Sequence, residues 1–255
     1  MADQAVLTEA DGGVLLITLN RPDQRNAVNA ALASGVAEAL DRLDDDDDLK
    51  VGILTGAGKG FSSGMDLKAF VAGESPYAAD RGFAGITQRG AAKPLIAAVE
   101  GYALAGGFEV ALGCDLIVAA RDARFGIPEV KRSLVAAAGA LLRLPQRIPY
   151  HLAMELALTG DPIDAERGYE LGIVNRLAEP GGAVDAALGL AGEIARNGPL
   201  ALRASKRIVQ SSSDWTDSEA WEKQGEIAGP VMVSEDAREG AIAFAEKRDP
   251  IWRGR

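Results

Sequence analysis

The chain has one cysteine and one histidine among its 255 residues. A single cysteine cannot form a disulfide within the chain, and there is no Cys/His cluster that could hold a metal ion. Cys114 lies in an apolar helical pattern, so we predict a small core residue rather than a nucleophile. His151 opens an amphipathic segment, and we predict that it lies at the start of a helix. We expect no metal site.

An excess of basic residues is also absent, because the formal net charge is −10. This charge argues against a nucleic-acid-binding surface. The N-terminus lacks the basic region and apolar core of a signal peptide. The most apolar region, residues 94–120, contains Glu100, Glu109 and Asp115, which argues against a membrane span. We therefore expect a cytoplasmic protein that binds neither nucleic acid nor membrane.

Two glutamates twenty positions apart, Glu109 and Glu129, lie in segments that are otherwise apolar. A buried carboxylate without a partner costs several kcal/mol and tends to raise its pKa instead. Two such acids are candidates for paired acid/base catalysis. They could equally be structural acids that cap a helix or pair with an arginine, and the spacing alone leaves both interpretations open.

Adjacent glycines precede the first of these acids. A short apolar run, residues 94–99, predicts a buried strand, and Gly106-Gly107 then opens a helical pattern that continues through Cys114. Glycines at a strand-to-helix turn let the backbone approach a ligand closely. The first N–H groups of a helix have no partner within it and carry partial positive charge. We therefore predict an oxyanion-binding site at this helix start, close to Glu109.

A second glycine-rich loop, residues 56–68, follows a predicted buried strand at residues 51–55. It lacks the Walker A spacing, and Phe61 stands where a dinucleotide-binding loop needs its third glycine. Residues 60–64 formally match the G-x-S-x-G nucleophile elbow around Ser62, but that elbow must follow its strand directly. A serine hydrolase would also need His151 as its base, and we keep it as the rival from a different enzyme class.

Five segments, in this order and at this spacing, resemble the enoyl-CoA hydratase/isomerase (crotonase) superfamily. They read LNRPDQRNA at residues 19–27, FSSGMDLK at 61–68, EGYALAGGFE at 100–109, FGIPEV at 125–130 and AFAEKRDP at 243–250. The resemblance covers nearly the whole chain, and its C-terminal part is similar to carnitinyl-CoA dehydratase-like members.

The resemblance implies a role for each matching residue. The backbone N–H groups of Met65 and Gly106 correspond to the two donors that bind the thioester oxygen. Glu109 and Glu129 correspond to the two acids that orient and activate water. We expect Glu129 to act at C2 and Glu109 to act on the water, although the sequence does not decide this assignment.

The substrate would be an acyl-CoA thioester, with no separate cofactor. The resemblance places Met65, Asp66, Leu67, Lys68 and Gly106 against the CoA moiety, with Lys68 near its phosphorylated end. It also implies that Phe244 and Lys247 cover the CoA adenine region, in family members often from a neighbouring subunit.

Retention of both acids favours hydration or dehydration, whereas members with one acid tend to be isomerases or to use other chemistry. The alternatives on the same scaffold are a carnitinyl-CoA dehydratase-like activity, double-bond isomerisation and a non-catalytic acyl-CoA-binding protein. One departure concerns residues 131–139, KRSLVAAAG, where many hydratases have a proline and more glycines. We predict that this segment starts a helix beside the acyl pocket and that Ala137 can still offer its N–H.

The predicted fold is α/β. Strands are predicted at residues 14–19, 51–55, 95–99, 115–119 and 173–176, and helical patterns at 184–196, 200–211, 217–233 and 237–246. The aspartate run at residues 44–48 is predicted to end a helix in a solvated turn. The resemblance implies a crotonase-type spiral of ββα repeats at residues 1–196 and a helical region at 197–255. That region would assemble homotrimers, or hexamers made of two trimers.

Overall fold

The computed structural model describes residues 4–255. Residues 1–3, at the N-terminus where no signal peptide is predicted, lie outside the described residues. The strands are β1 (Val6–Asp11), β2 (Val14–Leu19), β3 (Val51–Gly56), β4 (Tyr77–Ala78), β5 (Gly82–Phe83), β6 (Leu95–Val99), β7 (Tyr102–Leu104), β8 (Leu116–Ala120), β9 (Arg124–Gly126), β10 (Ile163–Asp164) and β11 (Arg176–Ala178). The helices are α1 (Ala30–Asp45), α2 (Leu67–Val71), α3 (Gly106–Gly113), α4 (Ala140–Arg147), α5 (Tyr150–Thr159), α6 (Ala165–Glu170), α7 (Ala183–Ala195), α8 (Pro199–Ser211), α9 (Asp217–Met232) and α10 (Glu235–Glu246).

The main sheet has six strands in the order β1-β2-β3-β6-β8-β11. β1 pairs antiparallel with β2, and the other neighbours pair in parallel. Strands β3 and β6 are buried along almost their whole length. Because both faces of the sheet are covered, these strands read as continuous apolar runs rather than as alternating patterns.

A second, smaller layer of strands gives the chain its spiral course. β6 is followed by β7 in the second layer and then by α3, and β8 is followed by β9 and then, after a 3-10 helix, by α4. The layer β10-β9-β7 continues through single pairings of Ser62 with Ala103 and of Val28 with Met65. Each turn therefore runs from main sheet to second layer to helix, which confirms the predicted ββα spiral.

Helix α7 covers one face of the main sheet. Its side chains Ala187, Leu190 and Ala191 pack with Val51 and Ile96 in a core separate from the larger one. The larger core lies on the opposite face, between the sheet, α1 and the second layer. After β11 the described chain is helical, as the sequence pattern predicts. Among the described residues, no helix is both long enough and apolar enough to cross a membrane.

Most of the predicted elements are confirmed to within two residues, but the fifth predicted strand is displaced. We expected it at residues 173–176, whereas β11 is Arg176–Ala178. The N–H groups of Ile173 and Val174 instead donate to the carbonyl of Gly168. The two apolar side chains are buried by a turn that ends α6, so burial here does not indicate a strand.

The aspartate run at residues 44–48 is less solvated than expected. α1 does end within it, at Asp45. The carboxylate of Asp44 accepts the backbone N–H groups of Ala92 and Lys93, and the Lys93 ammonium donates to the carbonyl of Asp46 at 2.6 Å. The run therefore also anchors the segment that leads into β6, which periodicity does not reveal.

The helix predicted to begin within residues 131–139 begins later. A 3-10 helix spans Pro128–Arg132 and ends at Ser133, which has a φ of 56°. α4 starts only at Ala140, after Gly139 with a φ of 118°. Since both residues adopt the left-handed region, a right-handed helix cannot run through either of them, and residues 134–138 are not helical.

Candidate active site

The loop after β3 is held against β7. Ser62 pairs with Ala103, with hydrogen bonds from the Ser62 N–H to the Tyr102 carbonyl (3.2 Å) and from the Leu104 N–H to the Ser62 carbonyl (3.0 Å). This pairing sets the register of the two loops that follow. It brings Gly64 beside Ala105, where the second glycine loop begins.

The N–H of Met65 is turned away from its neighbouring strand. Val28 donates to the Gly64 carbonyl (2.7 Å) and accepts from the Asp66 N–H (2.9 Å). In a parallel pairing, the residue between these two bonds directs its own N–H to the opposite side. Gly106 is the first residue of α3, so its N–H has no acceptor within the helix. The N–H groups of both predicted oxyanion donors are therefore not used in the strand pairing or in the helix.

The two donor loops are in direct contact. A Cβ built on Gly64, whose φ is 92°, would lie 2.8 Å from the nitrogen of Gly106, and one built on Gly106 would lie 2.6 Å from the ring of Phe83. Between the loops, Ala105 adopts φ 53° and ψ −133°, a region that non-glycine residues rarely enter. Its N–H donates to the Gly126 carbonyl at 2.8 Å. This bond helps to fix the direction of the Gly106 N–H.

Glu109 lies in the first turn of α3 and is only 3% exposed. Its Oε1 accepts the backbone N–H of Ala140, the first residue of α4, at 3.0 Å. Burial raises the pKa of Glu109, while the N–H groups of residues 138–140 and the positive charge of Arg143 oppose that rise. The carboxyl group thus lies at a helix N-terminus, a setting that favours its anion.

Glu129 lies in a different environment, although it is close enough for its pKa to respond to Glu109. It belongs to the 3-10 helix after β9. Burial, together with the negative charge of Glu109, raises its pKa to about 7. Its Oε2 is buried and accepts no hydrogen bond from any residue in the described range 4–255. A buried oxygen without a donor favours the protonated acid.

The sheet topology explains why these two acids meet. β7 and β9 pair in parallel, with Leu104 opposite Gly126. Glu109 follows the end of β7 by five residues and Glu129 follows the end of β9 by three. The ends of neighbouring parallel strands lie at one edge, so both carboxyl groups reach the same region. The two N–H donors can stabilise a developing oxyanion. The two carboxyl groups, whose pKa values are raised, can transfer protons beside it.

A sequence model of a protein family, described as enoyl-CoA hydratase/isomerase, matches residues 9–255. The chain belongs to this family. The carnitinyl-CoA dehydratase of Escherichia coli K12 is 43% identical over 263 aligned positions, and the match covers all of both proteins. This agrees with the family resemblance found in the sequence.

Solved structures of the enoyl-CoA hydratase/isomerase family agree with the fold. An enoyl-CoA hydratase from Mycobacterium tuberculosis H37Rv superposes with a TM-score of 0.98 at 59% identity, covering 99% of this chain and 100% of the other. A carnitinyl-CoA hydratase from Mycobacterium avium gives a TM-score of 0.80 at 44% identity, covering 100% of both chains. The chain is therefore similar to relatives named for both activities.

The geometry contradicts the rival serine hydrolase. Ser62 is fully buried, and its hydroxyl donates to the Asn26 carbonyl at 2.8 Å. His151 lies in the exposed first turn of α5, as predicted. Its ring lies 5.6 Å from that of Tyr150. A nucleophilic serine needs its base within hydrogen-bond reach, and Ser62 has a carbonyl partner instead.

Cys114 is buried, and burial raises the pKa of its thiol well above the usual range, in agreement with a core residue.

The residues expected to contact CoA fall into two groups. Met65, Asp66, Leu67 and Lys68 are consecutive, and Met65 lies beside Gly106 through the contact of the two loops. The Asp66 side chain caps α2 and forms an ion pair with Arg21 at 2.9 Å. Its carboxylate therefore has a structural role, whereas Leu67 and Lys68 are exposed.

Phe244 and Lys247 form the second group, on α10. Phe244 is 87% exposed, and Lys247 ends the helix with a φ of 56°. Within residues 4–255, no side-chain hydrogen bond or ion pair links this pair to the loop at Met65. Helix α10 is held by α9 and by the C-terminal residues, so the two groups belong to separate parts of the chain.

Two residues that support the glycine-rich loop at 56–68 are not evident from the sequence pattern. Asn26 is 1% exposed, and its amide donates to the carbonyls of Ala57 (2.9 Å) and Gly60 (2.8 Å). Its Oδ1 accepts the N–H of Arg21 at 2.9 Å. Both residues lie in the LNRPDQRNA segment, whose main signal in the sequence is the family resemblance. A further sequence signal for Asn26 is its position directly before two buried apolar residues, Ala27 and Val28.

Proposed function

We propose that this protein is a CoA-thioester hydratase that adds water to a 2-enoyl-CoA or removes it from a 3-hydroxyacyl-CoA. The proposal is supported by the positions of Glu109 and Glu129 just after the paired strands β7 and β9. Gly106 begins the helix that carries Glu109, and Gly64, next to Met65, is in contact with Gly106. This combination matches what hydration requires, namely two proton-transferring groups and an oxyanion site.

In the proposed reaction, the thioester oxygen accepts hydrogen bonds from the N–H groups of Met65 and Gly106. Water attacks C3, and negative charge develops on that oxygen as an enolate-like state forms. One glutamate takes a proton from the water and the other delivers a proton to C2. The net result is syn addition, with both protons handled on the carboxyl side of the substrate. The chemistry uses water and the acyl-CoA without a separate cofactor.

The experiment is hydration of crotonyl-CoA, followed as loss of the enoyl-thioester absorbance. Wild-type protein should turn over, and Glu109→Gln and Glu129→Gln should each lower kcat by about 100-fold or more, the scale of acid/base catalysis. Glu38→Gln, which changes an exposed carboxylate on α1, is the matched control. Binding of crotonyl-CoA without turnover of it or of longer, branched and hydroxylated acyl-CoAs would indicate a non-catalytic binding protein and overturn the proposal.

A second candidate is dehydration of carnitinyl-CoA. It is favoured by the full-length match to proteins named carnitinyl-CoA dehydratase. Both candidates use the same two glutamates, so the glutamate variants cannot separate them. The ratio of kcat/KM for carnitinyl-CoA to that for 3-hydroxybutyryl-CoA distinguishes the two, and a shifted double bond in the product would indicate isomerisation.

We further propose that the CoA moiety contacts Met65, Asp66, Leu67, Lys68 and Gly106, and that Phe244 and Lys247 cover its adenine. At a net charge of −10, the anionic CoA needs local cations, and Lys68 and Lys247 are exposed enough to meet it. For Asp66, the contact would come from its backbone, since its carboxylate is engaged by Arg21.

We also propose that residues 1–196 form the catalytic core and that residues 197–255 assemble the protein as a homotrimer or a pair of trimers in the cytoplasm. Large apolar side chains are exposed on α9 and α10 and in the turn between them, including Trp221 (79%), Met232 (76%), Val233 (86%) and Phe244 (87%). Exposed apolar surface of this kind marks interfaces. Light scattering after size-exclusion chromatography measures the assembly, and cell fractionation tests the location.

A further inference from the structure

Arg143 folds back over the start of its own helix. It lies one turn into α4, and its backbone N–H donates to the Gly139 carbonyl at 3.0 Å. A Cβ on Gly139 would overlap Nη1 of Arg143. The guanidinium therefore occupies the space beside the N-terminus of α4, the same end that binds the carboxylate of Glu109 through Ala140.

The other end of this guanidinium connects to the oxyanion region. Nη2 of Arg143 donates to the carbonyl of Thr87. The N–H of Thr87 bonds to the Phe83 carbonyl at 3.2 Å, and the Phe83 ring fills the space against Gly106. Arg143 thus joins the helix that holds Glu109 to the segment that packs on the second oxyanion donor.

The charged groups around the two acids are unequal. Glu109 faces the positive charge of Arg143 from α4 and the carboxyl of Glu129 from the 3-10 helix. Glu129 faces the carboxyl of Glu109, and among the described residues no cation influences its pKa. Arg143 itself faces Glu109 on α3, the thiol of Cys114 just after α3 and the positive charge of Arg147 on its own helix. Glu109 therefore has a counter-charge and the backbone donors of residues 138–140, whereas Glu129 has no counter-charge among the described residues and only its own backbone N–H as a donor.

We infer that Arg143, placed beside the N-terminus of α4, is a positioning residue that favours the anion of Glu109 over that of Glu129, so that a proton shared by the pair resides on Glu129. The inference rests on the proposed hydratase function. Glu109 as the base and Glu129 as the acid is the assignment expected from the family resemblance, and the inference adds that Arg143 supports the charge of Glu109. As the C3–O bond forms, the water O–H bond breaks and its proton goes to Glu109. The proton of Glu129 forms the C2–H bond, and a proton returns from Glu109 to Glu129 through solvent after product release.

The first test measures the protonation of Glu109 directly and needs no turnover. Protein carrying ¹³C-labelled glutamate is titrated by infrared spectroscopy in a Glu129→Gln background, with the Glu109 band assigned by its loss in Glu109→Gln. Arg143→Met should raise the pKa of Glu109 by about one unit, the scale expected when a nearby opposite charge is removed. Arg143→Lys, which keeps the charge, should restore most of the difference.

Arg147→Met is the matched control. Arg147 lies one turn further along α4, and its guanidinium likewise donates to a backbone carbonyl, that of Leu112 at 2.9 Å. Its charge acts on Asp115 and Cys114 rather than on Glu109. This variant should leave the pKa of Glu109 unchanged. An equal shift in both arginine variants, or no shift in Arg143→Met, would overturn the inference.

The second test is the pH dependence of kcat/KM for crotonyl-CoA. A base acts when ionised, so the rate rises with pH through the pKa of Glu109. In Arg143→Met this rising limb should move up by about one pH unit, which lowers the rate about tenfold on the acidic side, with little change in KM. A uniform loss at all pH values would show a merely structural role. A wild type without turnover would refute the proposed function, while the infrared titration would still decide the inference.

Discussion

Gly64 lies so close to Gly106 that a methyl group on Gly64 would be 2.8 Å from the Gly106 nitrogen. The two loops that carry the proposed oxyanion donors are therefore packed backbone to backbone. Any side chain at Gly64 must push Gly106 away, and its φ of 92° disfavours a side chain in any case. The spacing of the two donors depends on this contact.

Gly64→Ala should therefore lower kcat for crotonyl-CoA by about 100- to 1,000-fold, the effect expected when one oxyanion donor is lost. Stability should fall as well, because alanine is strained at positive φ. Gly172→Ala is the control, since Gly172 has a φ of 80° and open space around its Cα. If both variants lose the same activity, the contact with Gly106 is not the cause.

Glu129→Gln should stabilise the protein more at pH 8 than at pH 5. The pKa of Glu129 is raised from 4.5 to about 7 in the folded state. Between these values the folded protein retains a proton that the unfolded chain has released, so stability falls as pH rises through this window. Glutamine stays neutral and avoids that loss.

The measurement is the difference in Tm between Glu129→Gln and wild type at the two pH values. Glu38→Gln, at an exposed position on α1, should show the same difference at both. A gain for Glu129→Gln that is equal at pH 5 and pH 8 would mean that Glu129 titrates normally. This prediction concerns the protein without substrate, so it does not depend on the identity of the substrate.

The candidate site residues could be predicted from the sequence where a residue differs chemically from the segment around it. Glu109 and Glu129 stand out because a carboxylate in an apolar segment needs a reason, and Gly106 stands out at a strand-to-helix turn. The long buried strands were predictable for a similar reason, since apolar runs such as residues 95–99 have few alternatives. Here, local composition carries the information.

The remaining features depend on contacts between distant segments. β7 and β9 have three residues each, too few for a periodic pattern, yet their pairing brings the two acids together. Arg143 reads as one charged residue of an amphipathic helix. Only the three-dimensional structure places its guanidinium over Gly139 and beside Glu109. The late start of α4 likewise follows from two left-handed residues that composition does not specify.

Lys68→Ala and Lys247→Ala should each raise KM for crotonyl-CoA about 2- to 5-fold and leave kcat unchanged. An exposed ion pair contributes about 0.2–1 kcal/mol, and the effect should shrink as salt screens the charges. Crotonyl-pantetheine lacks the adenosine phosphates, so its KM should not respond. Lys59→Ala, an exposed lysine in the same glycine-rich loop as Lys68, is the control. Equal effects on both thioesters would contradict the assignment.

Asp236 ties the C-terminal residues to α10. It is 5% exposed, and its carboxylate accepts the N–H groups of Arg253 (2.7 Å) and Gly254 (2.9 Å). Its own N–H donates to the Arg255 carbonyl at 3.0 Å. The tail is also anchored by Trp252, whose ring N–H donates to the Arg196 carbonyl at 2.8 Å.

Asp236→Ala should cost about 1–3 kcal/mol of stability, because two backbone donors lose a charged acceptor. Glu235→Ala is the matched control. Glu235 is the neighbouring acid in the first turn of α10, and its exposed carboxylate also contacts the tail, through Arg255 at 3.1 Å. Both variants remove one negative charge from the same helix end, so the helix-dipole contribution is nearly the same in each. Tm and tryptic cleavage after Arg253 measure the outcome. Equal losses in the two variants would mean that charge at the helix end, rather than the buried clamp, holds the tail in place.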